Sequence, residues 1–103
     1  MKLSHDVDSQ DPGTVRASVT GHLEVASCTC LENFWELRLA AARELRLDLS
    51  GIEGVEDAGL ATLAALLRRQ LETGTRVTVG GAQPRLRDGL EALCGEHALR
   101  FEG

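Results

Sequence analysis

Between Leu45 and Thr73 the hydrophobic period changes from two to 3.6 inside one stretch, and no other feature restricts the fold as tightly. "LRLDL" places Leu45, Leu47 and Leu49 on one face of a strand, which suits a central position in a sheet. A helix follows from about Ala58 to Thr73, with Leu60, Leu63, Ala64, Leu67 and Leu71 along one stripe. Arg68, Arg69 and Glu72 turn away from that stripe, and Gly74 supplies the stop. A strand and a helix that each carry one apolar side must bury those sides against other elements, so this segment calls for helices laid on a sheet.

The flanking sequence follows the same logic. Val15–Val19 alternates with period two, Thr20-Gly21 interrupts it, and Leu23–Val25 alternates again, which reads as two short strands joined by a tight turn. Ser27 is a suitable N-cap for a helix to about Ala42, with Leu31, Phe34, Trp35, Ala41 and Ala42 on its stripe. Arg38 falls near the centre of that face and must snorkel, pair with a carboxylate, or mark a part of the face outside the core. "RVTVGG" is a strand, Pro84 to about Leu93 a helix with Leu86, Leu90 and Leu93 inward, and Leu99–Phe101 a last short strand. The expected fold is α/β: a single domain over 14–103, a mixed sheet of four to five strands, helices mainly on one face, and right-handed crossovers. Residues 1–13 are polar and aperiodic, with Asp6, Asp8, Asp11 and a Pro12-Gly13 turn. They are expected to be a flexible N-terminal segment, or at most an edge strand.

Composition narrows the function classes. At 103 residues the chain fits one core, and no apolar run approaches the ~20 residues of a membrane-spanning helix. The N-terminus lacks the apolar region and cleavage site of a secretory signal, so the expected location is cytoplasmic. A net charge of −5 gives nucleic acid no electrostatic foothold. Three cysteines do not make a disulfide framework, and Cys28-Thr29-Cys30 suits neither a zinc knuckle nor a redox pair. His5, His22 and His97 lack metal-ligand spacing, and Cys94 with Glu96 and His97 has no third group to orient the histidine. Gly51, Gly54 and Gly59 do not form a phosphate loop without a Lys-Ser/Thr ending. Neither an enzyme nor a cofactor or metal site is expected.

Two stretches carry a family resemblance. "GHLEVAS", Gly21–Ser27, is similar to the "G-E-L-D-x-A" turn of STAS domains, and "LDLSGIEGVEDAGL", Leu47–Leu60, resembles their "L-D-L-S-G-V-x-x-I-D-S-x-G-L" signature. The likeness spans roughly Val15 to Phe101. It implies the fold of anti-sigma-factor antagonists and of the cytoplasmic ends of some anion transporters. In that family the loop before the second helix carries an Asp followed by a Ser or Thr that a partner kinase phosphorylates to break the complex. Position by position, the Asp becomes Glu56 and the phosphoacceptor-equivalent position is Asp57. A phosphate adds about −1.5 to −2 charge at such a site, whereas Asp57 holds a permanent −1 without a kinase. By its residue type Asp57 is also a good helix N-cap, accepting from an N–H near Leu60. Ser50, at the strand end, reads as a turn-stabilising hydroxyl.

The resemblance implies a non-enzymatic, bacterial partner-switching module in transcription regulation, bound to an anti-sigma factor or related kinase. The alternative it implies is the small STAS subunit of an ABC-type lipid transport complex, docked on its ATPase. The expected partner-binding residues are Glu53, Gly54, Glu56, Asp57, Ala58 and Gly59, with Leu66 and Arg69 on the outer side of the helix. Leu66 falls about 120° from the core stripe and is expected at the surface.

Overall fold

The computed structural model describes residues 1–102 and shows six strands and three main helices. The strands are β1 (Lys2–Val7), β2 (Thr14–Leu23), β3 (Glu44–Asp48), β4 (Ile52–Val55), β5 (Arg76–Gly80) and β6 (Arg100–Glu102). The helices are α1 (Cys28–Phe34), α2 (Asp57–Glu72) and α3 (Pro84–Cys94). The sheet runs β1-β2-β3-β5-β6, with β4 paired to the far end of β2; only β1 is antiparallel to its neighbour. A single mixed sheet is what the sequence calls for, with six strands instead of four to five.

Period two decides which face is buried. Register lines up Val15, Leu45 and Val77 in one row and Ala17, Leu47, Val79 and Phe101 in the next, and the helices cover these rows. Leu45, Leu47, Leu63, Leu67, Leu86 and Leu90 are all essentially inaccessible, so the strand and helix stripes meet as their periods require. At full burial each side chain contributes on the order of 1.5–3 kcal/mol. The opposite face of the sheet is left to polar and charged side chains.

Four local readings change. Val15 to Leu23 is one strand and not two: Gly21, at φ +100°, carries a bulge where the pairing to β4 shifts register, so the Thr20-Gly21 signal marks a bend within a strand. Val25–Ser27 then forms a single 3₁₀ turn leading into α1, and Ser27, its third residue, holds the N-cap position of α1 as expected but makes no side-chain capping bond to that helix. The Ser27 hydroxyl accepts from the Glu24 N–H at 3.1 Å and lies 2.9 Å from the His22 carbonyl. Lys2–Val7 pairs along its whole length with β2, the edge-strand outcome for the polar N-terminal segment. Leu93 is 46% exposed; Cys94, one residue on, takes the inward place and donates to the Ala64 carbonyl.

The first helix departs most from its expected stripe. Past Phe34 the helix widens: the Ala40 N–H reaches the Trp35 carbonyl, an i→i+5 bond of 2.9 Å, over Trp35–Leu39. The extra residue in that turn shifts the phase, so Leu31, Trp35, Leu39 and Ala42 are buried while Arg38 and Ala41 face solvent. Arg38 is therefore outside the core face. Beneath the widened turn, Gln70 of α2 is 3% exposed and fully engaged. It accepts from the Trp35 indole N–H at 3.1 Å and donates to the Thr75 hydroxyl at 2.8 Å and to the Ala40 and Ala42 carbonyls.

Candidate functional site

The acidic segment after β3 is a turn, a short strand and a helix start. Asp48 accepts from the Ser50 N–H at 2.9 Å, so the turn is closed by the Asp48 carboxylate; the expected Ser50 hydroxyl bond is not what holds it. Ile52–Val55 then pairs with the end of β2, matching Ile52 to Gly21, Gly54 to His22 and Val55 to Leu23. This stretch reads as loop in the sequence because Gly54 and Glu53 break its alternation. A Cβ on Gly54 would come within 2.5 Å of the exposed His22 ring, which would have to swing aside. Glu53 is exposed, with His22 Nε2 3.4 Å from its carboxylate.

Glu56, not Asp57, occupies the N-cap position of α2. Glu56 is extended (φ −107°, ψ 156°), its N–H donates to the Leu23 carbonyl at 2.8 Å, and its carbonyl accepts from the Leu60 N–H at 2.9 Å. Asp57 is the first helical residue, exposed, with no side-chain cap bond. The N-cap expectation for Asp57 fails because the helix begins one residue earlier than expected, with Glu56 the last extended residue after β4. Its charge still sits in the first turn, where the helix dipole favours an anion.

Gly59 fixes how closely this helix start approaches the sheet. A Cβ on Gly59 would lie 2.3 Å from the Leu23 carbonyl carbon and 2.6 Å from the Glu24 nitrogen, both backbone atoms that cannot step aside. Ala58 is exposed and its carbonyl accepts from the Cys28 thiol at 3.7 Å. Thr62, one turn on, donates its hydroxyl to Cys28 Sγ at 3.1 Å and is half-buried. Two strand ends, the 3₁₀ turn and two helix starts therefore meet at one corner. Glu53, Glu56, Asp57 and Ala58 are exposed there, and Gly54 and Gly59 allow the close approach.

Leu66 does not belong to that surface. It is only 5% exposed, because the widened turn of α1 lies over it: Leu66, Trp35 and Ala40 line the cleft between the two helices. A helix covered by a sheet below and a neighbour at its side needs a broader apolar stripe than one covered by a sheet alone. Arg69 is exposed and reaches Glu36 of that turn at 3.7 Å, flanking the outer side of α2. Val25 is the surface residue that the sequence does not reveal. It is 73% exposed in the 3₁₀ turn beside the start of α2, whereas its alternation with Leu23 reads as strand.

Elsewhere, burial pushes the Cys94 thiol above its ordinary value, only partly offset by Arg68, the opposite of what activates a nucleophile. Among the described residues no three His, Cys, Asp or Glu side chains group as a metal site, and no helix is long and apolar enough to cross a membrane.

A family model described as "Mlab, STAS domain" matches residues 7–96. The chain belongs to the STAS domain family. Its fold is that of the anti-sigma factor antagonist SpoIIAA in its unphosphorylated form, at a TM-score of 0.73 and 10% identity over 99% of this chain and 88% of that one. A putative anti-sigma factor antagonist from Thermotoga maritima is similar at a TM-score of 0.72 and 11% identity, covering 96% and 84% of the two chains. A sulfate transporter family protein from Wolinella succinogenes follows at 0.67 and 17%, covering 93% and 80%. Among curated proteins no sequence matches.

Proposed function

We propose that this STAS domain is a cytoplasmic, non-enzymatic binding module that docks a regulatory protein through the corner at the start of α2. Its surface comprises Glu53, Gly54, Glu56, Asp57, Ala58 and Gly59, the outer side of α2 up to Arg69, and Val25. The observation that supports this most is Asp57 itself: an exposed carboxylate in the first turn of α2, where the resemblance implies a phosphoacceptor, free of any capping bond that would account for it structurally. The partner in this reading is an anti-sigma factor or related partner-switching kinase, and Asp57 holds the domain in a state resembling the phosphorylated one. Affinity for a kinase-type anti-sigma factor is then weak in the wild type.

Asp57→Ser removes one negative charge from the surface while keeping a polar side chain in the first turn. The expected result is tighter binding to the anti-sigma kinase encoded nearest the gene, measured by calorimetry. Unchanged affinity would sink the locked-switch reading. A second reading, the small STAS subunit of an ABC-type lipid transport complex docked on its ATPase, gains support from the matched family model, which is the Mlab one. Stoichiometric co-purification with an ATPase rather than a kinase decides between them.

A further inference from the structure

The face of the sheet turned away from the helices carries a charge pattern complementary to itself. Strand register sets Asp6, Arg16, Arg46, Thr78 and Arg100 in one row across the sheet, and Ser4, Ser18, Asp48, Gly80 and Glu102 in the next. The first row is cationic, with three arginines against one aspartate. The second is anionic, with Asp48 and Glu102 and no cation.

Within the molecule these rows do not neutralise each other. Arg16 and Arg46 lean the other way, to Asp8 at 3.5 Å and Glu44 at 3.8 Å, contacts that are long and half-exposed and therefore easily exchanged. Asp48 and Glu102 form no ion pair among the described residues. Between them Gly80 leaves the sheet bare: a Cβ there would meet nothing within 4 Å. A shallow hollow of about 440 Å³ opens over Arg16, Arg46, Asp48, Thr78, Gly80 and Glu102. Thr78, flanked by Arg46 and Arg100, is 8% exposed although it lies on this open face.

An occupant must present an anion and a cation two residues apart along a strand, about 7 Å, and repeat the pair two strands away, about 10 Å. The chain presents that lattice itself. Turning a second copy about an axis that crosses the strands at the level of Leu47 lays β3 on β3 and β6 on β6. Arg46 of each copy then stands over Asp48 of the other, and Arg100 over Glu102. We propose that this sheet face is a self-association surface, holding a face-to-face dimer by these four reciprocal ion pairs. Five strands by five residues give roughly 400 Å² per copy, about half of what a stable interface buries, so the dimer is weak and forms with rising concentration. The helices lie on the other face, so both copies keep the start of α2 free, and the dimer offers two partner surfaces.

Sedimentation equilibrium of the full chain tests this. The wild type is expected to shift from monomer towards dimer mass as concentration rises. R46E and D48R should each abolish the shift, since each places like charges opposite one another. An equimolar mixture of R46E with D48R should restore it, because all the facing pairs in the mixed dimer are again opposite in sign. R100E and E102R provide the same cycle on β6, independent of the Asp48 turn bond, and far-UV circular dichroism verifies that each variant is folded. A wild type that stays monomeric to its solubility limit overturns the proposal. So does a mixture that associates no more than its components.

Discussion

Asp57 stands in the first turn of α2 without a capping bond, so the fold gains little from it beyond the helix-dipole term of about 0.3–1 kcal/mol. Replacing it by Ser is therefore expected to move the urea midpoint by the equivalent of less than about 1 kcal/mol. Gly59 is the reverse case. Ala is favoured over Gly in a helix by about 1 kcal/mol, but here its Cβ would press on the Leu23 and Glu24 backbone. Gly59→Ala is expected to lose about 1–3 kcal/mol by urea unfolding, as overpacking does, in spite of the better propensity. Leu66 and Leu67 are both buried, one against the widened turn of α1 and one in the core. Leu66→Ala and Leu67→Ala should each cost about 2–5 kcal/mol. A near-neutral Leu66→Ala would show that the cleft side of α2 is not a packing surface.

At the level of elements, the widened turn Trp35–Leu39 and Gln70 explain each other. A regular helix would bring Arg38 inward; the i→i+5 bond turns it out and seats the Trp35 indole on Gln70. Gln70→Leu keeps the volume but leaves the indole N–H without its acceptor, at an expected cost of about 1–3 kcal/mol in a denaturant melt followed by Trp35 fluorescence. The strands and helices that follow a steady period, Leu45–Leu49, the α2 core stripe and Leu86 with Leu90, are readable from the sequence because a single pattern determines both element and buried face. What escapes it depends on events that break the period. The bulge at Gly21 masquerades as a turn, the extra residue of the wide turn replaces Arg38 by Leu39, and Gly54 hides the strand Ile52–Val55. The site suffers from the same cause: a helix that starts one residue before its apolar stripe indicates moves Asp57 from cap to first helical position, and the cover from α1 takes Leu66 out of the surface.

For the whole molecule, the sheet separates two surfaces of different character. One side carries three helices and, at the start of α2, an exposed acidic corner with Val25 beside it; the other is a bare lattice of alternating charge rows. The fold and family are those of STAS domains, and the binding role rests on the first surface. Its most direct test is the dissociation constant of the cognate partner for three proteins: wild type, Ala65→Arg on the exposed side of α2, and Arg85→Glu on the exposed side of α3. Both changed positions face solvent, so both variants should keep the wild-type unfolding midpoint. Docking through α2 is expected to weaken binding by on the order of tenfold or more for Ala65→Arg, as at an interface residue worth over 1 kcal/mol, and to leave Arg85→Glu at the wild-type value. Equal affinity of Ala65→Arg and wild type, with the loss falling on Arg85→Glu instead, would contradict it.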